Sequence, residues 1–136
     1  MANVKLGTKA VGSIVKIKVN GASKDFIVVQ QGNPNTSTYD SSCAGTWLLM
    51  KDIYTTSTFG NNNSYKDSSI HTYLNGTFYN LIDSNIRAAI KQVKIPYQNG
   101  TGSGGSLATG SNGLSTKVFL LSGYEVGWTT SDNGYF

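Results

Sequence analysis

Val15-Lys16-Ile17-Lys18-Val19-Asn20-Gly21 is the stretch of sequence that decides the fold. Apolar residues alternate with lysines along residues 15–19, which is the period-two pattern of a half-buried β-strand. Asn20 and Gly21 follow at once and predict a tight hairpin, because both residues tolerate a positive φ. The return strand, Phe26–Val29, is almost continuously apolar, so we expect it to lie deeper in the sheet.

A second apolar run, Trp47–Met50, predicts a third strand. The run is so short and so apolar that we expect it to lie inside the sheet rather than at an edge. Polar loops are predicted on either side of it, at residues 36–44 and 55–64.

Beyond residue 64 the hydrophobic period changes from two to helical spacing. The spacing predicts a first helix that is capped by Asp67, Ser68 or Ser69. We expect it to end or bend near Asn75, because Gly76 weakens a helix. Its apolar positions are Ile70, Tyr73, Leu74, Phe78 and Leu81.

A second helix is predicted to begin at Asp83 or Ser84. A short strand, Val93–Ile95, should follow it and end at Pro96. The residues expected to form the buried stripe of this helix are Ile86, Ala89, Ile90 and Val93.

The C-terminal part combines a polar loop with one more apolar strand. Residues 98–113 are rich in Gly, Ser, Thr and Asn, so we expect a flexible loop or a binding loop. Val118–Leu121 predicts a buried strand, and Ser122 with Glu125 matches a capping box that starts a short helical turn. The pattern predicts one α+β domain over residues 1–136, with a small antiparallel or mixed sheet, an N-terminal hairpin and two short helices.

The composition is typical of a folded, weakly charged protein. Hydrophobic residues make up 38%, aromatic residues 11% and charged residues 13% of the 136 residues. The aromatic content favours a folded domain, while few charges and many hydroxyl and amide groups are typical of extracellular or virion proteins. The net charge of +4 comes from scattered lysines, with Arg87 as the only arginine. Nucleic-acid-binding proteins usually cluster their cations and contact bases through arginine, so we expect no nucleic-acid partner.

The sequence also bears on location. Residues 1–7 lack the apolar core of a secretory signal peptide, and no stretch reaches the ~18 apolar residues of a membrane span. We therefore expect synthesis in the cytoplasm, no membrane span, and a final location in a virion or similar particle, or alternatively in the cytoplasm.

No group of residues points to catalysis, a cofactor or a metal. Gly100, Gly102 and Gly105 match a dinucleotide-binding fingerprint, but the Gly- and Ser-rich residues that follow cannot hold the helix that such a site needs. His71, the only histidine, has no particular partner for acid–base work. Cys43, the only cysteine, is expected to be a packed thiol rather than a nucleophile. The carboxylates are dispersed and lack the spacing of a calcium loop, so we expect a non-enzymatic protein without cofactor or metal.

A distributed set of aromatic residues is the remaining candidate site. These residues stand in or beside loops rich in Ser, Asn and Gly, a mixture that antibody binding loops also use. The alternative is that several of the rings close the ends of the core. The predicted binding residues are Tyr39, Tyr54, Phe59, Tyr65, Tyr97, Tyr124 and Trp128, and Tyr135 shares the pattern.

Four segments carry a resemblance to a known family: Gly45–Tyr54, Ile70–Asn75, Ile90–Pro96 and Lys117–Ser122. Together with the hairpin and Asp25–Val29, they resemble an uncharacterised domain family of gut-type Gram-positive bacteria and of their phages and prophages. The resemblance extends over nearly the whole chain.

The resemblance implies a C-type-lectin-like fold. Longer members continue with a second half that contains Trp-Leu-Arg-Ser-Pro and Gly-Val-Arg-Pro-Ala segments, in the style of sulfatase-modifying enzymes and phage tropism proteins. This chain resembles their N-terminal portion, so a complete or a truncated lectin-like domain is expected. Relatives often carry His at the position of Gln30, and Cys43 alone cannot supply the paired cysteines that the formylglycine-generating branch uses for copper. The resemblance therefore implies binding rather than oxidation.

Three functions follow as hypotheses. The first is a non-enzymatic adhesion domain of phage or prophage origin that contacts a host-surface glycan or protein through its aromatic loops. The second is a structural protein of virion or tail assembly, whose partners are other virion subunits or copies of itself in a homo-oligomer. The third, which the sequence favours least, is an enzyme directed at the cell wall.

Overall fold

A computed structural model describes residues 5–61, 63–100 and 105–136. Within these ranges the chain forms antiparallel sheets joined by short helical segments, which confirms the α+β class. The strands are β1 (Ile14–Val19), β2 (Ala22–Gln31), β3 (Thr46–Met50), β4 (Val93–Ile95), β5 (Tyr97–Asn99), β6 (Ser106–Ala108) and β7 (Leu114–Thr116). The helices are α1 (Ser69–Tyr73), a π-helical segment (Leu74–Phe78), α2 (Tyr79–Leu81) and α3 (Ser84–Arg87).

The N-terminal hairpin forms as the sequence predicts. β1 and β2 pair from Ile14↔Ile27 to Val19↔Ala22, and Asn20 and Gly21 take φ values of 51° and 75° at the turn. These positive angles match the right-handed twist of the two strands. β2 is the central strand of the order β1-β2-β3, in agreement with its apolar sequence.

β3 forms where expected, but the prediction that it lies inside the sheet is wrong. Among the described residues β3 pairs only with β2, so it is an edge strand. Its apolar character comes from its two faces: Leu48 and Met50 pack against the buried cluster that contains Phe78 on one face, and Trp47 packs against Phe119 on the other. Burial of side chains on both faces, rather than pairing on both edges, explains the sequence.

The first predicted helix is present and is interrupted where Gly76 suggested. Ser68 is the N-cap, because its hydroxyl accepts a hydrogen bond from the His71 amide at 3.1 Å. The helix changes from α to π geometry at Leu74 and returns to α geometry at Tyr79. A π-helical turn inserts an extra residue and redirects the side chains it carries.

The side chain redirected in this way is Asn75, which ties the helix to the C-terminal part of the chain. Its Nδ2 donates to the backbone oxygens of His71 and Val118 at 3.1 and 2.9 Å. Its Oδ1 accepts from the amides of Lys117 and Val118 at 2.8 and 3.2 Å, and from the Thr116 hydroxyl at 3.1 Å. One carboxamide thus replaces a strand partner for residues 116–118.

This arrangement explains why the predicted strand at Val118–Leu121 does not form. The last strand, β7, lies earlier, and its register with β4 runs from Val93↔Thr116 to Ile95↔Leu114. The amides that would continue β7 donate to Asn75 instead, so residues 117–121 follow as irregular, half-buried backbone.

The prediction of a loop over residues 98–113 is also wrong in part. β5 pairs with β6, from Tyr97↔Ala108 to Asn99↔Ser106, and a 3₁₀ turn follows at Gly110–Asn112. Leu107 and Ala108 pack against a buried core, which favours pairing over a free loop. Residues 101–104, including Gly102 of the glycine pattern, lie outside the described residues.

The second helix is shorter than predicted. Asp83 caps it by accepting from the Asn85 amide at 3.0 Å, and it ends at Arg87. Ile86 and Ile90 pack in the core as expected, but Ala89 is exposed. The predicted buried stripe of the helix continues too far along the chain, because Val93 already belongs to β4.

Two buried clusters hold the elements together. The helix-side cluster lies between the hairpin and the helices and is built from Ile17, Val19, Phe78 and Ile82. The tyrosine-side cluster lies among the short sheets and the C-terminus and is built from Tyr39, Cys43, Tyr65, Ile95, Tyr97, Leu114 and Tyr135. In the described ranges, no helix has the length and hydropathy to cross a membrane.

We predict that Asn75→Ala lowers the free energy of unfolding by about 2–3 kcal/mol, because it leaves partly buried amides and carbonyls at residues 116–118 without partners. Urea unfolding followed by circular dichroism measures the change. Asn85→Ala is the matched control, since Asn85 is exposed and caps nothing with its side chain. A loss equal to that of the control would show that Asn75 does not tie the two segments together.

Candidate functional site

The structure divides the seven predicted aromatic binding residues into core and surface. Tyr39, Tyr65 and Tyr97 are buried, so these three follow the alternative that some of the rings close the ends of the core. Burial of an aromatic ring by long-range partners has no local signal in the sequence, which is why the residue pattern alone grouped them with the loops.

The other four residues retain exposed surface to different degrees. Tyr54 is half-buried and packs edge-on against Phe78 in the helix-side cluster, at 5.3 Å between ring centroids. Tyr124 is half-buried as well, whereas Phe59 and Trp128 are exposed. The structure therefore does not bring all the predicted residues to one face, since Tyr54 belongs to a different cluster from Tyr124.

A continuous set of ring contacts supports the surface that contains Tyr124. Tyr124 stacks on Tyr135 at 4.4 Å, and Tyr135 contacts Tyr39 edge-on at 6.4 Å. Tyr39 in turn contacts Trp47 of β3 at 5.6 Å. Aromatic pairs of this geometry are worth about 0.5–1.5 kcal/mol beyond the area they bury, so they fix the C-terminal segment firmly.

The turn at 122–128 carries the exposed end of this surface, and Glu125 holds it in place. The predicted capping box is confirmed: the Ser122 amide and hydroxyl donate to Glu125 Oε2 at 2.7 and 2.9 Å, and the Glu125 amide returns a 3.4 Å bond to the Ser122 hydroxyl. The Tyr39 hydroxyl donates to the other carboxylate oxygen, Oε1, at 2.7 Å. The sequence predicts the capping box but not the bond to Tyr39, which joins residues far apart along the chain.

Trp128 and Val126 project from this rigid turn. The Trp128 amide donates to the Gly123 carbonyl at 2.9 Å, and Gly127 supplies the positive φ of 73° that lets the chain reverse. Trp128 is 87% exposed and Val126 is 58% exposed. A large indole on a backbone fixed by hydrogen bonds presents contact area that loses little entropy on binding. We call residues 122–128 the Trp128 turn.

The electrostatics of Tyr39 follow from its position. Burial and the hydrogen bond to Glu125 raise the pKa of Tyr39 well above its ordinary value, because both favour the neutral phenol. Burial also raises the pKa of Tyr135, to about 12. Both groups stay neutral at physiological pH and act as packing and hydrogen-bonding groups.

Cys43 and His71, the remaining residues that could take part in catalysis, make packing contacts within the fold. Cys43 is a packed thiol, as predicted: it is buried, its Sγ lies 3.2 Å from the Lys94 carbonyl, and burial raises its pKa. His71 packs edge-on against Tyr65 at 5.1 Å, and burial lowers its pKa. Within the described ranges no group of three or more His, Cys, Asp or Glu side chains could hold a metal.

A second feature is an apolar groove of about 400 Å³ beside β3. Gly45–Leu49 line it, and so do Ala89, Ile90, Val118 and Phe119 from later in the chain, which we call its far wall. We call it the β3 groove. The sequence gives no local signal for it, because its walls come from segments separated by about half of the chain.

The fold and these surfaces define a small α+β domain with an exposed aromatic turn and an apolar groove. The chain belongs to the family described as "Domain of unknown function (DUF6273)", which it matches over residues 44–135. The match includes β3, the helices and the Trp128 turn, and it begins after the N-terminal hairpin. No curated protein and no solved structure shows a significant similarity to the chain.

We predict that Tyr39→Phe weakens the dependence of stability on alkaline pH. The pKa of Tyr39 is raised in the folded state, so this tyrosine stabilises the fold fully below the unfolded value near 10, and its contribution falls as pH rises above that value. Urea unfolding at pH 8 and above pH 10 measures the difference between wild type and variant. Equal pH dependence in the two proteins would contradict the assignment.

Proposed function

We propose that this chain is a non-enzymatic binding domain that contacts its target through the Trp128 turn. The observation that supports the proposal most directly is an indole that is 87% exposed on a turn held by Glu125 and Tyr39. Tryptophan is the residue most enriched among the contacts that dominate binding energy, and a pre-ordered backbone lowers the cost of association.

The target class is a host-surface glycan or protein. An exposed indole offers an apolar face for the C–H side of a sugar ring or for an apolar side chain. Exposed polar residues lie close by in sequence, at Thr130 and Ser131, and supply hydroxyl groups for orientation. Lysines are scattered along the chain and do not favour nucleic acid.

The setting we propose is a phage or prophage particle. It is supported by the weakly charged, hydroxyl- and amide-rich composition and by the resemblance to domains found in gut-type Gram-positive bacteria and their phages. A C-type-lectin-like use of the fold, displayed on a virion or tail, fits the same setting. Glu125, His71 and Cys43 make hydrogen-bond and packing contacts within the fold, and this favours binding over catalysis.

We predict that Trp128→Ala weakens retention on target cells by about tenfold or more, because a central aromatic contact is lost. The measurement is co-sedimentation of the purified protein with intact cells and cell-wall fractions from a panel of gut Gram-positive bacteria. Stability should change by less than about 0.5 kcal/mol, since the side chain is exposed.

Ile53→Ala is the matched control for that experiment. Ile53 is 90% exposed and apolar, like Trp128, but lies in a different part of the chain. Its substitution should leave retention unchanged. Failure of the wild-type protein to bind any strain, or equal retention of Trp128→Ala and wild type, would overturn the proposal.

The second candidate function is assembly into a particle, and the outer face of the hairpin sheet favours it. Ile14, Ile27 and Leu49 form one row across the three strands, with Ile14 48% and Leu49 38% exposed. A row of aliphatic side chains that is exposed at both ends and half-buried at Ile27 is suited to packing against a neighbouring copy or another virion subunit.

Light scattering tests this second function. If copies assemble through the row, the wild type forms a discrete oligomer and Ile14→Glu reduces its mass to that of the monomer. Lys18→Glu, an exposed position on the same strand, is the control for added negative charge. A monomeric wild type at high concentration would count against assembly and leave adhesion as the function.

A further inference from the structure

The edge of β3 and the groove beside it form a site that is separate from the Trp128 turn. Gly45, Thr46, Trp47, Leu48 and Leu49 all line the β3 groove. Successive side chains of a strand point to opposite faces of its sheet. Contact with five successive residues places the groove at the strand's edge, and the lining residues Ile17 and Phe26 show that it continues beneath the helix-side face of the sheet.

The backbone of β3 offers hydrogen-bonding groups to this groove. The Lys51 amide donates to the Asp25 carbonyl at 2.9 Å, and the Gly45 carbonyl accepts from Gly32 at 2.8 Å. In an antiparallel ladder the residues that face the partner strand alternate. The amides and carbonyls of the odd-numbered residues of β3 therefore point toward β2. Those of Leu48 and Met50 point the other way, toward the groove.

The walls and floor of the groove suit apolar side chains. Its apolar lining includes Phe78 and Ile82 of the helix-side cluster, together with Ile90 and Val118. A volume of about 400 Å³ falls within the usual range of binding pockets. The five residues of β3 would pair with about 16 Å of extended chain.

The charged residues of the groove favour apolar peptides that also carry acidic residues. Lys91 and Lys117 line it, and the described lining residues include no Asp or Glu. Lys91 Nζ donates to the Ala44 carbonyl at 2.6 Å, and Lys117 Nζ donates to the Tyr79 hydroxyl at 3.1 Å. Both lysines are bonded to neutral groups, so their charge is available to carboxylates of a ligand.

We propose that the β3 groove binds an extended segment of a partner protein, with alternating apolar residues and acidic flanks, as a fourth strand beside β3. Addition of a strand to a free sheet edge is a common mode of peptide recognition: backbone bonds give affinity and pockets for alternate side chains give specificity. A single extended chain suits this site better than a symmetric β3–β3 contact, because a second copy would also bring the far-wall residues that line its own β3.

The test uses a display library of short random linear peptides on the immobilised full chain, followed by synthesis of the enriched peptides. We expect them to alternate apolar residues, carry Asp or Glu at their ends, and bind more weakly in high salt. Hydrogen exchange read by NMR should show new protection of the Leu48 and Met50 amides on binding, with the Leu49 amide unchanged.

Two pairs of variants locate the peptide. Ala89→Phe fills the groove from an exposed position and should weaken binding at least about tenfold, while Ala88→Phe, exposed but outside the lining, should not. Met50→Pro removes an amide that faces the groove without breaking the ladder to β2, and it should weaken binding more than Met50→Ala does. Circular dichroism confirms that each variant folds.

Each other outcome overturns the proposal. Failure to enrich a binding peptide, or enriched peptides that bind Ala89→Phe as well as wild type, would remove the groove as the site. Binding that tolerates Met50→Pro but not Ala89→Phe would show an apolar ligand without strand pairing. Protection of Leu48 and Met50 that rises with protein concentration alone would show a second copy as the occupant.

The result is distinguishable from a failure of the proposed adhesion. Trp128→Ala should leave peptide binding unchanged, and Ala89→Phe should leave retention on cells unchanged. If both variants abolish both activities, the two sites are not separate and the assignment of the peptide to the groove fails.

Discussion

The carboxamide of Asn75 is the interaction on which the C-terminal half of the structure depends. It joins a helix of the helix-side cluster to the backbone at 116–118 through hydrogen bonds that its nitrogen donates and its oxygen accepts. The bonds end β7 at Thr116 and set the path of residues 117–121, which form part of the far wall of the β3 groove and then lead into the Trp128 turn. The π-helical turn at 74–78 is the departure from α-helical geometry that directs the Asn75 side chain there.

A second long-range bond, from Tyr39 to Glu125, fixes the other end of the same segment. Between these two anchors, the segment is held by packing of Phe119 on Trp47 and by the bond from the Leu120 amide to the Tyr65 hydroxyl at 3.1 Å. Irregular backbone can remain ordered when its polar groups find side-chain partners in this way. The Trp128 turn is therefore rigid although it belongs to no helix or strand.

The parts of the fold that were predictable from the sequence are those set by local physics. The turn at Asn20-Gly21, the cap at Ser68 and the box at Ser122 and Glu125 each depend on residues within a few positions of one another. The strand expected at Val118–Leu121 does not form, and Tyr39, Tyr65 and Tyr97, which the pattern grouped with the binding loops, are buried, because distant partners decide both outcomes. Apolar character shows that a segment is buried but does not show whether its backbone is paired, as β3 and residues 118–121 illustrate in opposite ways.

An apolar edge strand such as β3 is a hazard, since free amides and carbonyls invite pairing with other chains. Natural proteins usually protect such an edge with charged residues, proline or a bulge, and β3 itself contains none of the charged residues or prolines. A bulge lies in β2, between Val28 and Gln30, and leaves the outer edge of β3 regular. In the proposed site the far-wall residues would supply the missing protection, because a folded sheet edge would have to approach β3 past them, whereas a single extended chain would not. A preference for extended chains over folded sheet edges would then depend on residues 117–119, the same segment that Asn75 holds in place.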